Sequence, residues 1–259
     1  MIPKDIFNWP YIASGFKGFN TATPFNHCVI DNFLDDEFAE KLSKEIPAFD
    51  STAWHEYNNP LEIKKTCNNW NLFPPLTYSF FSQLNSGGFI DKVSTYSGIS
   101  PLFPDAGLNG GGWHIHPNGG KLNPHLDYSL HPKLKLQRKL NLIIYLQEDW
   151  ENDWGGHLGL YGDLDSAKEI QSEIVPLFNR AIFFDTTQNS WHGLSQEVKT
   201  PNEICRKSIA VYYLTEPPLN VDERGKALFA LTEDQKDDAA IRNLIQKRSG
   251  VVTASSVYK

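Results

Sequence analysis

Only 3 of the 259 residues are cysteine, at Cys28, Cys67 and Cys205, and no two of them form a CxxC pair. A set this sparse and odd in number excludes a disulfide framework and a thiolate zinc site, and it points to a reducing compartment. Long apolar runs are also lacking. Nothing approaches the ~18 residues that span a bilayer, and the opening "MIPKDIFNWPYIASG" has no signal-peptide apolar region. The expectation is a soluble, cytoplasmic protein without a membrane partner. Positive charge is not in surplus either: the net charge is −7, so no global field draws the chain to nucleic acid or anionic lipid. One basic cluster, Lys133, Lys135, Arg138 and Lys139, reads as the solvated face of a strand. Internal repeats and low-complexity linkers are absent.

What remains is a globular composition, 40% hydrophobic and 13% aromatic, in a chain long enough to bury a substantial core. From Asp35 the segment "DDEFAEKLSKEIP" reads as a helix, capped by Asp35 or Asp36 and stopped by Pro47, with Phe38, Leu42 and Ile46 on one face. "HCVIDNF" before it reads as a short strand. "PLTYSFFSQLN", ended by Gly87-Gly88, and "FIDKVSTYSG", ended by Gly98, read as two more helices. After "NGGGW" the texture changes to short runs rich in β-branched and aromatic residues: "WHIHP", "LNLIIYLQ", "HLGLY", "EIVPLF", "RAIFFD" and "SIAVYYLT". Turn residues separate them, as expected of an antiparallel sandwich or barrel. The tail "TEDQKDDAAIRNLIQKRSG" carries a capping-box pair, Thr232 with Gln235, and Gly250 past its end. The fold class is therefore α+β with a mainly β core, in one domain over 1–259. About 1–109 form a strand-and-helix support, about 110–217 the β core, and about 218–259 a helical extension.

One short stretch, "NPHLDY", concentrates chemistry. In an extended strand alternate side chains share a face, so His125 and Asp127 project together. They are either a surface pair or two ligands. A third group is available in His192, within "NSWHGLS" after a strand that can return beside the first in a two-sheet roll. Two imidazoles and one carboxylate on one face of an octahedron leave sites open, as in non-haem Fe(II) oxygenases. Arg206 opens the strand "RKSIAVYYL" and offers the planar fork that holds a carboxylate through two parallel hydrogen bonds.

The ordered set His125-x-Asp127, distal His192 and Arg206-x-Ser208 resembles the Fe(II)/2-oxoglutarate dioxygenases of prolyl-4-hydroxylase type. The flanking strands "RKLNLIIYLQEDW", "WGGHLGLY", "VPLFNRAIFFD" and "RKSIAVYYLT" resemble that family too, and the likeness runs from His27 to Thr215. The resemblance implies a double-stranded β-helix, or jelly-roll, with Fe(II) held by His125, Asp127 and His192. It also implies 2-oxoglutarate as cosubstrate on Arg206, with Ser208 in the same motif, O2 as oxidant and ascorbate as an optional stimulant. Asn141 falls where the family places a polar cosubstrate contact, and Leu158 where it places an apolar wall; Asn141 equally suits backbone groups inside the sheet. The implied reaction releases succinate and CO2 and hydroxylates an unactivated C–H bond. Asp127 favours hydroxylation over halogenation, with desaturation and ring closure left open.

Other residues carry two readings. His114 and His116 share a strand face and line the pocket or are structural, while Trp113, Tyr128 and Trp191 line a substrate cavity or belong to the core. His131 and His157 read as surface or strand residues, and Gly110 to Gly112 as a flexible loop or a lid. The first substrate candidate is a small polar metabolite, and the alternative is a prolyl residue in a protein. A non-catalytic, cupin-like metal-binding module is the rival from a different class, although it gives Arg206 no task. The C-terminal helix packs on the core or mediates a dimer, leaving monomer and homodimer open.

Overall fold

Side-chain alternation along two long strands sets the layers. Over residues 137–145, Leu140, Leu142 and Ile144 join a core against the helices, whereas Asn141 and Ile143 turn to the opposite side. Over residues 206–215, Ile209, Val211 and Tyr213 face the helices, and Arg206, Ser208, Ala210 and Tyr212 face away from them. A computed structural model describes residues 5–162, 169–187, 189–201 and 203–249. In it the helices are α1 (Trp9–Gly15), α2 (Asp36–Lys44), α3 (Pro75–Leu84), α4 (Gly87–Ser97) and α5 (Ala239–Ser249). The first half contributes strands β1 (His27–Ile30), β2 (His55–Asn59), β3 (Glu62–Cys67), β4 (Phe103–Pro104), β5 (Gly112–His116), β6 (Lys121–Leu122) and β7 (His125–Leu126). The second half adds β8 (Gln137–Tyr145), β9 (Leu158–Tyr161), β10 (Ile170–Ile174), β11 (Ala181–Asp185), β12 (His192–Leu194), β13 (Arg206–Thr215) and β14 (Leu228–Phe229).

The strands form two antiparallel sheets. The larger runs β1-β11-β8-β13-β5-β3-β2, with β4 on β13 and β6 on β3; the smaller runs β10-β9-β12-β7-β14. Phe16, Phe33, Phe80 and Phe183 help fill the layer between helices and large sheet. Leu158, Leu160, Ile182 and Phe184 pack between the two sheets. This curled, helix-backed pair of sheets is the expected double-stranded β-helix.

Local chemistry explains the element ends, including those the sequence places differently. Asp35 caps α2, accepting from the Phe38 amide at 3.0 Å. Gly87 and Gly88 do not end α3. Asn85 does, Ser86 caps α4 through the Phe89 amide, and the two glycines form its first turn. The strand expected in "EIVPLF" lies earlier, at Ile170–Ile174, because Pro176 has no amide to donate to a ladder. Thr232 and Gln235 do form a capping box, but on a single 3-10 turn, Glu233–Gln235. The helix proper starts at Ala239, where Asp238 accepts from the Ala240 and Ile241 amides. Gly250 lies outside the described residues.

The Gly110–Gly112 segment packs closely against its neighbours. Gly112 has φ +95°, and a Cβ there would collide with the Cys67 carbonyl of the neighbouring strand. Gly110 accepts from the Tyr212 hydroxyl at 2.7 Å. Helix α5 packs on the body of the molecule, Ile241 joining Leu61 and Phe229.

Candidate metal centre and active-site cavity

Strand pairing brings the distant ligands together. His125 on β7 and His192 on β12 are direct partners across the small sheet, with ring centroids 4.3 Å apart. Asp127 follows two residues after His125, as the alternation requires. Its Oδ1 lies 3.7 Å from His125 Nε2 and its Oδ2 3.5 Å from His192 Nε2. Metal-ligating atoms of all three lie within 4.8 Å of one another. Gly193 makes the approach possible: a Cβ there would stand 2.7 Å from the Leu122 carbonyl oxygen.

The donor set suits a divalent metal. His125 Nδ1 meets the Asn123 carbonyl at 3.0 Å, and His192 Nδ1 meets the Ser190 carbonyl at 2.8 Å. Each ring thus donates through Nδ1 and turns the lone pair of Nε2 inward, the orientation that metal-binding histidines receive from backbone carbonyls. Burial, joined by the neighbouring His192, holds the His125 pKa down to about 3 against the pull of Asp127. Burial likewise lowers His192. Both rings are neutral at neutral pH, the form in which an imidazole can ligate a metal. Burial alone would raise Asp127, but the Arg138 guanidinium, helped by the Asn141 amide, outweighs it and keeps the carboxylate ionised.

Arg138 corrects a sequence expectation. It is 3% exposed, not solvated, and its Nη2 lies 2.9 Å from Asp127 Oδ2. Asn141 closes the ring, donating to Asp127 Oδ2 at 2.7 Å and accepting from Arg138 Nε at 2.8 Å. The guanidinium also lies over the Tyr212 ring, 3.2 Å from its centroid. A shift in register puts Arg138 there. Leu140 pairs with Tyr213 but Arg138 with Leu214, so Lys139 is an extra residue whose bulge swaps the faces of 138 and 139. Lys139 turns outward to Asp185 at 2.7 Å.

These groups open into a cavity of about 380 Å³ between the sheets. His114, His116, Tyr128, Asn141, Leu158, Arg206 and Ser208 line it, together with the three ligands. Trp191 does not: it packs with Tyr161 on the far side of its strand, and Trp113 belongs to the core facing the helices. His131 and His157 are buried, contrary to expectation. His131 lies 3.5 Å from Asp105, and His157 meets the Asn152 carbonyl at 3.0 Å. Arg206 is 3% exposed, donates from Nε to the Gly156 carbonyl at 2.7 Å, and has no carboxylate partner among the described residues. A buried guanidinium without a counter-charge fits the anchoring of an anion.

Further lining residues were not marked by the sequence. Phe229 of the C-terminal extension stacks on His125 at 5.2 Å. Glu62 lies between Lys64, at 3.0 Å, and Arg248, at 2.5 Å. The hairpin β2–β3 that carries Glu62 and Lys64 was not expected either; its signal is the Asn59-Pro60 turn between two polar runs.

Fold and donor set together define a double-stranded β-helix with a two-histidine, one-carboxylate centre. Residues 111–214 match the family described as the 2OG-Fe(II) oxygenase superfamily. Over 205 residues, 75% of this chain, the sequence is 30% identical to the mouse (Mus musculus) protein named prolyl 3-hydroxylase OGFOD1. The aligned part spans about a third, 34%, of that relative's length. The fold is similar to a Pseudomonas putida prolyl-4-hydroxylase, with a TM-score of 0.57 at 13% identity, covering 80% of this chain and 100% of that one. It is also similar to a prolyl hydroxylase from Trichoplax adhaerens, with a TM-score of 0.54 at 17% identity, covering 78% and 89%. The chain thus resembles the 2OG-Fe(II) oxygenase superfamily over residues 111–214 and shares the fold of prolyl-4-hydroxylases.

Proposed function

We propose that this chain hydroxylates an unactivated C–H bond of a small polar metabolite, using Fe(II), O2 and 2-oxoglutarate and releasing succinate and CO2. The observation that carries the reading is the meeting, in one cavity, of the His125–Asp127–His192 cluster with the buried Arg206, which has no carboxylate partner among the described residues. When bound, the iron and the keto acid supply O2 activation through oxidative decarboxylation, chemistry that no side chain provides. The protein supplies the rest. His125 and His192 present unprotonated Nε2 atoms, and Asp127 presents a carboxylate held ionised by Arg138. Arg206 grips the distal carboxylate of 2-oxoglutarate, with Ser208 next on the same strand face. Leu158 and Ile143 give the cavity an apolar wall that limits water. Asn141 is engaged with Asp127 and Arg138, so its role is to set the carboxylate rather than to touch the cosubstrate.

A cavity of about 380 Å³ lined with ionic side chains suits a small molecule. The second reading, a prolyl residue of a protein, is favoured by the 30% identity to the mouse prolyl 3-hydroxylase. Succinate formation from 2-oxoglutarate with Fe(II) and ascorbate tests the activity. Adding fractionated metabolites in one arm and proline-containing peptides in another, with mass spectrometry for one added oxygen, separates the substrates. Iron binding without any succinate would leave the cupin-like, non-catalytic module.

A further inference from the structure

Charge along the cavity wall is out of balance. Among the described residues, besides the partly buried Lys226, four cations line it, Lys64, Arg138, Arg206 and Arg248, against two carboxylates, Glu62 and Asp127. Asp127 pairs with Arg138, and Glu62 is shared between Lys64 and Arg248. Divalent iron and doubly charged 2-oxoglutarate cancel each other, so loading the centre leaves the positive surplus in place. Buried charge without a counter-charge is costly, and a bound anion removes that cost.

Geometry locates the surplus. Arg206 is opposite His116 on β5, and the β3–β5 register, with Lys65 opposite Ile115, brings Lys64 level with His116. Arg206, His116 and Lys64 thus form a row across three strands. Two strand spacings put β3 about 10 Å from β13, room for a small molecule beside the cosubstrate. Lys64 is 13% exposed, with Nζ 3.0 Å from Glu62. His116 is 2% exposed, and neither ring nitrogen has a hydrogen-bond partner.

We propose that Lys64, with His116 beside it, forms a second anion subsite that takes an acidic oxygen group of the substrate, a carboxylate or a phosphate. The inference rests on the oxygenase reading above, since that reading reserves Arg206 for 2-oxoglutarate. Burial works against the Lys64 charge, but Glu62 outweighs it and the ammonium is retained. Burial, then Arg206 and Lys64, keep His116 neutral, with one N–H to donate.

The test uses the full chain, loaded anaerobically with Fe(II) and 2-oxoglutarate and titrated by calorimetry with acetate, inorganic phosphate and uncharged acetamide. Loading is measured first, so failure of the oxygenase reading is seen before any probe is added. Acetate or phosphate should bind and acetamide should not; the anion that binds identifies the acidic group. Lys64→Met should weaken that anion about tenfold or more, the worth of one charge-assisted hydrogen bond, with 2-oxoglutarate affinity held within about threefold. Glu62→Gln should tighten it several-fold by removing the carboxylate that competes for Lys64. A purely structural triad gives the opposite sign. Absence of anion binding, acetamide binding as well as acetate, or equal affinity in Lys64→Met would overturn the proposal. If Lys64→Met does not fold, Glu62→Gln decides alone, and unchanged or weaker binding there overturns it.

Discussion

Replacing Arg138 by methionine keeps an apolar stem under Tyr212 but removes the cation from Asp127. Asp127 is 12% exposed at its side chain and Arg138 3%, so solvent cannot take over the role of the missing partner. Breaking one side of a buried ion pair costs roughly 3–5 kcal/mol. At roughly 2–4 °C per kcal/mol for a chain of this size, the metal-free variant should melt on the order of 10 °C lower. A divalent ion in the cluster supplies Asp127 with a new counter-charge. Mn(II) should therefore raise the melting temperature of Arg138→Met by more than it raises that of the parent. Thermal unfolding of both proteins with and without Mn(II) gives the four values needed. Equal Mn(II)-induced gains would refute the idea that Arg138 serves as the electrostatic partner of the metal-binding carboxylate.

Four further outcomes are open to direct measurement. His125→Ala and Asp127→Ala should each abolish Fe(II) binding and succinate formation; near-normal activity in both would place the centre elsewhere. Arg206→Ala should raise the 2-oxoglutarate requirement far more than the iron requirement, and equal changes in the two would indicate a misfolded site. Burial holds His114 and His125 at about 3 in the fold, whereas an unfolded histidine protonates near ~6.5. The unfolded chain then binds more protons, so metal-free stability should fall as pH drops from ~6.5 towards 3, by up to roughly 1.4 kcal/mol per unit for each histidine. Asp127, depressed in the fold, adds a loss that begins only as pH falls below ~3.9. A urea midpoint unchanged between pH 6.5 and 5 would contradict that sign. Gly112→Ala should cost roughly 2–3 kcal/mol through its positive φ and the Cys67 carbonyl, seen as a lower urea midpoint.

What could be read in advance depended on whether the information was local. "LNLIIYL" and "SIAVYYL" announced strands with two distinct faces, and His125-x-Asp127 announced two groups projecting together, because alternation is a property of consecutive residues. His192 required the pairing of β7 with β12, a non-local contact that the resemblance supplied and spacing could not. Arg138 was misjudged for an identifiable reason. Counting in twos back from Asn141 puts residue 139 in the cavity and residue 138 outside, and one bulged residue reverses both. Lys64 and Glu62 were hidden differently: "LEIKKTC" has too few apolar residues to read as a buried strand, and the second cation on Glu62, Arg248, comes from the far end of the chain.

That arrival explains why the C-terminal extension belongs to the site rather than to an appended tail. Without it, β7 would be an edge strand of the small sheet, its ladder unpaired beside the proposed metal ligands. Strand β14 covers that edge, pairing Phe229 with His125, and the Phe229 ring then shields the imidazole from water. From the same extension Arg248 lies over Phe229, 4.6 Å from the ring centroid, and reaches Glu62 on the large sheet. The extension therefore ties the sheet that carries the histidines to the sheet that carries the Lys64 subsite. The width of the cavity follows from that tie as much as from the strands of the roll.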